Sequence, residues 1–296
     1  MKTIAVLSPG EMGNAFGGAL KAAGFDIVTC LAGRSELTRQ RAADTGFRDG
    51  GDLATVLDDA DLVLSILPPE YALDAARGAA AALKSSGAAP VFVDCNAVAP
   101  ATAIEMSRAF AAIDAKYIDG GIVGNPPGTG KPTRLYVSGE GCELVAGIGG
   151  KDIDVRPMGP EIGRASGIKM CYAGVTKGTN ALHVAAQIAA EALGVTEALQ
   201  AEFGSSASEL YKRMESSGPR LPSVSGRFVG EMEEIAKTFR DVGVTPQFHL
   251  GAADVFRVLA DTPFAAETPD TIDFERTLAE AAKVYLRHLP GGMNDK

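Results

Sequence analysis

The opening stretch Lys2-Thr3-Ile4-Ala5-Val6-Leu7-Ser8-Pro9-Gly10-Glu11-Met12-Gly13, followed by small and apolar residues at helical spacing from Ala15 to Ala23, constrains the fold more than any other part of this chain. A short apolar run entering a turn with glycines three apart, then a helix and a second apolar run at residues 27–31, is how a parallel βαβ unit begins. Such a turn offers bare backbone N–H groups at a helix N-terminus, where a dinucleotide pyrophosphate binds. A side chain at Gly10 would obstruct that approach, and Gly13 lets the helix lie close on the strand. Ser8 stands where the G-x-G-x-x-G pattern has its first glycine. Ser8, Pro9, Gly10, Glu11, Met12 and Gly13 are the expected phosphate cradle.

The segment after the second strand bears on which dinucleotide binds. NAD sites usually place Asp or Glu there for the ribose 2′-hydroxyl, whereas this chain reads Gly33-Arg34-Ser35, with Thr38 and Arg39 a turn further on. A guanidinium and hydroxyls suit a 2′-phosphate. NADP(H) is therefore expected in preference to NAD(H), with Arg34 and Ser35 reading the phosphate.

At 296 residues, 46% hydrophobic and 22% charged, the chain has room for two domains and a large core. A formal net charge of −9 without a basic run argues against nucleic acid as a partner. Cys30, Cys95, Cys142 and Cys171 form no C-x-x-C pair and read as thiols of a reducing compartment. His183, His249 and His288 lack ligand spacing with one another, so no metal site is expected. There is no leader pattern and no apolar stretch of about 18 residues, so the expectation is a cytoplasmic protein without a membrane partner.

Residues 1–162 alternate short apolar runs with helical stretches, as a parallel sheet with crossover helices requires. Strands are expected at 4–7, 27–31, 62–66, 91–93, 117–118 and 135–138, with helices notably at 71–84 and 101–112. The Gly- and Pro-rich residues 120–128 are expected to be irregular and to form a binding loop. From residue 163 strand signals disappear, and 163–296 reads as a helical domain broken near 216–219, 243–246 and 262–263. The fold class is thus an α/β Rossmann N-terminal domain followed by an all-α C-terminal domain.

The helix beginning near Gly163 carries a second clue: Thr176, Asn180, His183 and Gln187 all fall within about 40° of Lys169 on a helical wheel, among small and apolar residues. A narrow polar stripe of this kind implies a helix buried on most sides, with the stripe lining a crevice. His183 alone reads more simply as a structural histidine.

These residues resemble the β-hydroxyacid dehydrogenase superfamily, relatives of 6-phosphogluconate dehydrogenase that include hydroxyisobutyrate dehydrogenases and imine reductases. Residues 8–13 are similar to its G-L-G-x-M-G, and Gly33-Arg34-Ser35 to its N-R-T segment. Leu67-Pro68-Pro69 resembles its cofactor-wrapping loop, and Asp94-Cys95-Asn96-Ala97-Val98-Ala99-Pro100 its D-x-S-T-x-x-P element. Asp119-Gly120-Gly121-Ile122-Val123-Gly124 stands in for D-A-P-V-S-G-G, and residues 163–169 for the segment whose lysine is catalytic in the family. The run Val229-Gly230-Glu231-Met232-Glu233-Glu234-Ile235-Ala236 looks like a C-terminal domain type of a distinct branch.

The resemblance implies a dehydrogenase or reductase, commonly dimeric, with a small-molecule substrate held between its domains. Lys169 would be the general acid/base, its pKa lowered by burial, and Leu67, Pro68 and Asn96 would meet the ribose and nicotinamide side. Ile122, Val123, Gly124, Tyr172, Asn180 and His249 would line the substrate pocket. The family's carboxylate anchors are replaced, by Val123, by Tyr172 and Ala173, and by the acidic stretch 231–234. Glu233 or Glu234 would then favour a neutral or amine-bearing substrate, such as an amino alcohol. Reduction of an imine, or dinucleotide binding without turnover, are the alternatives; retention of Lys169 speaks against the imine reading, since imine reductases usually carry another residue there.

Overall fold

The computed structural model of the chain describes residues 1–268 and 270–291. They form two compact units, Met1–Tyr172 and the residues from Ala173 onward.

The first unit is built on one sheet. Its strands are β1 (Thr3–Leu7), β2 (Asp26–Thr29), β3 (Arg48–Asp49), β4 (Leu62–Ser65), β5 (Val91–Asp94), β6 (Tyr117–Val123), β7 (Thr133–Ser138) and β8 (Ile153–Pro157), in spatial order β3-β2-β1-β4-β5-β6-β7-β8. Strands β1 to β6 pair in parallel, β7 runs antiparallel to β6, and β8 pairs in parallel with β7. The order 3-2-1-4-5-6 is that of dinucleotide-binding sheets, with its switch point between β1 and β4. Four of the five residues of β1 and all of β4 are buried, the continuous apolar signature of central strands covered on both faces.

The crossover helices are α1 (Glu11–Ala22), α2 (Glu36–Thr45), α3 (Leu53–Asp59), α4 (Ala72–Ser86) and α5 (Pro100–Ala111). Their ends follow local chemistry: Ser35 and Asp52 cap α2 and α3, and Gly46 and Gly87 close α2 and α4 in left-handed conformations. One face of the sheet packs Ile4, Val6, Leu62, Leu64 and Val93 against Phe16 and Leu20 of α1, and the other packs Ala5, Val63 and Phe92 against Ala79, Met106 and Phe110.

Strands β3 and β8 carried no sequence signal, the first because it has two exposed residues, the second because it alternates with charged Asp154 and Arg156. The expectation of an irregular loop at 120–128 is corrected: residues 120–123 are buried strand, their backbone satisfied by β7. Glycine serves there because neighbours leave no room. A Cβ at Gly120 would lie 2.7 Å from the Asp94 carbonyl oxygen, and one at Gly121 would overlap that of Ala165.

Helix α6 (Arg164–Ala192) contains the boundary between the units. The second unit continues with α7 (Thr196–Ser206), α8 (Ser208–Ser217), α9 (Pro222–Asp241), α10 (Gln247–Ala260) and α11 (Leu278–Arg287); the expected breaks near 216–219, 243–246 and 262–263 are present, and the helices also break at 193–195 and at Ala207, where no break is expected from the sequence. Met232, Ile235, Ala236, Ala253, Phe256 and Leu259 form its centre. Arg276, paired with Glu267 and stacked 3.5 Å over Phe264, also bonds the Pro219 carbonyl, tying the segment before α11 to the rest. None of the described helices is long and apolar enough to cross a membrane. The expectation that α6 is buried on most sides is corrected for the single chain: Tyr172, Val175 and Leu182 share a face and are 48–68% exposed.

Candidate active site

At the carboxyl end of β1 the chain turns through Ser8, whose φ of 67° lies in the left-handed region usually reserved for glycine. The Gly10 N–H donates to the Ser8 carbonyl at 2.8 Å, and Asn14 N–H to the Gly10 carbonyl, which starts α1 with no side-chain cap. The two motif glycines differ in their reason. A Cβ at Gly13 would lie 2.6 Å from the Ser8 carbonyl oxygen, so helix packing excludes it, whereas one at Gly10 meets only open space. An uncapped helix N-terminus behind an open glycine fits a pyrophosphate. Pro9 is buried, Met12 half-buried and Glu11 exposed in the first turn.

At the end of β2, Arg34 is half-buried and its Nε, screened from solvent, has no hydrogen-bond partner. Ser35 Oγ accepts from Thr38 N–H at 3.3 Å and meets Thr38 Oγ1 at 3.0 Å, so this hydroxyl also caps α2. Arg39 Nε donates to the Arg34 carbonyl at 3.0 Å. A buried guanidinium N–H left over beside a helix N-terminus suits an anion such as a 2′-phosphate.

Asn96 is buried and fully engaged. Its Oδ1 accepts from Leu67 N–H, and its Nδ2 donates to Ser65 Oγ at 3.1 Å and to Asp94 Oδ1. It therefore fixes the Leu67-Pro68 turn beyond β4. Asp94 Oδ2 is buried without a partner, and Asp94 lies in register with Asp119 on β6. Burial, then the neighbouring Asp119 carboxylate, pushes the Asp94 carboxyl well above the usual range, which favours its protonated form.

Lys169 is half-buried in the second turn of α6, against β6: a Cβ on Gly121 would meet the Lys169 Cβ at 3.1 Å. Ile122 and Val123 are buried, Ile122 within the sheet core, while Gly124 and Tyr172 are exposed. In the second unit, Asn180 is half-buried. His249 is 7% exposed, stands edge-on to Phe239 at 4.2 Å, and leaves Nδ1 without a partner; burial lowers its pKa, keeping it neutral. Glu233 lies at the surface, paired with Arg257, whereas Glu231 is the buried member of the acidic run, paired with Lys177 over the Phe228 ring. Sequence reasoning missed Lys177 and Glu231; eight residues from Lys169, Lys177 lies off the polar stripe. It also missed Ser138 and Ser166, which bond Asp119.

Residues 3–144 match the NAD binding domain of 6-phosphogluconate dehydrogenase, and residues 190–259 match a domain of unknown function (DUF1932). The chain thus carries a 6-phosphogluconate dehydrogenase-type NAD binding domain followed by that C-terminal domain. It is 25% identical over 174 residues to an uncharacterized 28.5 kDa protein of Methanothermus fervidus, a match spanning 59% of this chain and 65% of that relative. A solved conserved protein described as structurally similar to 3-hydroxyacid dehydrogenases is 25% identical, with a TM-score of 0.63 over 88% of this chain and 97% of that one. Mycobacterium tuberculosis 3-hydroxyisobutyrate dehydrogenase, solved with L-serine, shares the fold at 17% identity, with a TM-score of 0.67 over 96% and 98% of the two chains. Imine reductases share the fold too.

Proposed function

We propose that the chain is an NADP(H)-preferring oxidoreductase that interconverts a secondary alcohol, β-hydroxy acid-like or an amino alcohol, and a carbonyl compound. The observation that carries this reading is the open, uncapped glycine turn at the switch point, in the same unit as a half-buried lysine on α6. A nicotinamide dinucleotide supplies the hydride acceptor or donor when bound. The turn from Ser8 to Gly13 would seat its pyrophosphate at the N-terminus of α1, Pro9 contributing no N–H, and the orphaned Arg34 Nε, with Ser35 and Thr38, favours the 2′-phosphate form. Leu67 and Pro68, fixed by Asn96, cover the ribose and nicotinamide side. Lys169 Nζ takes the hydroxyl proton during oxidation and returns it to the forming alkoxide during reduction. Gly124 and Tyr172 contact substrate; Ile122 and Val123 set the wall from behind, as buried strand residues.

The exposed Val175 and Leu182 on one face of α6, with Leu193 just past its end, are 67–75% accessible and support a homodimer, to be measured by light scattering. Calorimetric titration with NADPH and separately with NADH tests the cofactor assignment. A substrate panel of ketones, amino alcohols and imines, run with wild type and Lys169→Met, tests the chemistry: cofactor binding survives in the variant while turnover falls about 10²-fold or more. Imine turnover independent of Lys169 would favour the reductase of imines instead; tight NADPH binding with no turnover would favour a binding protein.

A further inference from the structure

Helix α6 begins without a capping side chain of its own. Gly163, at φ 99°, serves as its N-cap residue, the Gly167 N–H donating to its carbonyl at 2.8 Å. The N–H groups that a helix start leaves over are taken by residues far away in sequence. Asp119 Oδ2 on β6 accepts from Gly163 N–H at 2.9 Å, Ser166 N–H at 3.0 Å and Ser138 Oγ at 2.9 Å, and its Oδ1 accepts from Ser166 Oγ. Ser138 Oγ, on β7, accepts in turn from Ala165 N–H at 3.1 Å. All of these groups are buried. One residue pair further along β6, Gly121 packs so closely on α6 that a Cβ would strike the Ala165 carbonyl and the Lys169 Cβ. The strand thus grips the helix at its first turn and again at the root of Lys169.

We propose that Asp119 is a positioning residue for Lys169: by capping α6 from the sheet, together with Ser138 and Ser166, it fixes the height and rotation at which Lys169 leaves the helix. This rests on the assignment of Lys169 as the acid/base. An ordinary N-cap lies next to its helix and moves with it, whereas Asp119 belongs to a central strand and references α6 to the sheet that carries the glycine turn. The substitutions separate shape from charge. Asparagine at 119 keeps one oxygen for the backbone N–H groups and turns its amide toward the Ser166 hydroxyl, which accepts as readily as it donates. Alanine leaves four buried donors without their acceptor.

The test is site-resolved acetylation of Lys169 by acetyl N-hydroxysuccinimide, followed by peptide mass spectrometry from pH 6 to 10, with Lys84 on α4 as internal reference. Wild type, Asp119→Asn, Asp119→Ala and Gly121→Ala are compared well below their melting temperatures. Asp119→Ala is expected to raise the Lys169 rate relative to Lys84 about fivefold, the population change that a lost cap brings, and to move its pH midpoint; Asp119→Asn restores both. Gly121→Ala, which leaves the cap intact and crowds the same helix turn, also moves the Lys169 profile. Unchanged Lys169 profiles in Asp119→Ala and Gly121→Ala, whatever their melting temperatures, would overturn the proposal. If the profiles shift as expected but turnover proves independent of Lys169, the positioning stands and the acid/base assignment falls.

Discussion

Replacing Asp94 by asparagine should make the protein more stable at neutral pH and flatten its stability against pH. Asp94 is fully buried, one carboxylate oxygen has no partner, and the Asp119 carboxylate is its neighbour across the β5–β6 ladder. Burial first and that neighbour second raise its pKa well above the ordinary carboxylate value, so the folded chain keeps a proton that the unfolded chain releases. The sign follows. The contribution is fully present below the unfolded pKa of about 3.9 and is lost as pH rises toward the folded pKa. Between those limits the slope is about 1.4 kcal/mol of lost stability per pH unit for this one group. Asparagine reproduces the neutral acid, since its oxygen still accepts from Asn96 Nδ2 and its amide takes the place of the unpartnered oxygen. Urea unfolding of both proteins from pH 4 to 7 measures the difference directly: the gap in favour of Asp94→Asn should widen as pH rises above the ordinary carboxylate value. A gap that is constant with pH would mean that Asp94 ionises normally in the folded state, and the argument from burial would fail.

How much of this was legible in the sequence depended on whether a feature is local. The β1–α1 turn was readable because strand, glycines and helix are contiguous, and the central strands because burial on both faces makes them continuously apolar. The helix breaks near 216–219, 243–246 and 262–263, each marked by a proline, are readable for the same reason, whereas those at 193–195 and 207 carry no proline and are not. Residues 120–123 were misread because glycine signals a turn when viewed locally, while here it answers close approach by Asp94 on one side and Ala165 on the other. Asn96 was read as a ligand group because its part in holding Leu67 depends on strands 29 residues apart being neighbours. Asp119, Ser138 and Ser166 are separated by up to 47 residues, and only the antiparallel β6–β7 pairing and the return of α6 bring them together. Glu233 and Glu231 differ by two positions in one acidic run, yet helical rotation sends the first to the surface and the second into the helix packing.

Two further substitutions address the remaining charged groups. Arg34→Ala should weaken NADPH binding about 10- to 100-fold and leave NADH binding nearly unchanged, as calorimetry would show; equal losses for both would remove Arg34 from the 2′-phosphate reading. The Lys177–Glu231 pair is the other case, with side chains only 16% and 9% exposed and Lys177 Nζ 4.1 Å over the Phe228 ring. Glu231→Gln removes the carboxylate that Lys177 meets in a half-dry site and should cost about 3 kcal/mol in urea unfolding. Lys177→Met/Glu231→Leu also removes the ammonium that must be kept solvated there, and apolar side chains of similar size can pack beside Phe228, so the double variant should recover most of the loss. The nearby Arg227, 3.9 Å from Glu231 and 47% exposed, stays solvated in either variant and does not change the comparison. A double variant as unstable as the single one would show that the pair holds α6 and α9 by its own attraction, and that the cost of keeping the ammonium solvated is not what the single substitution measures.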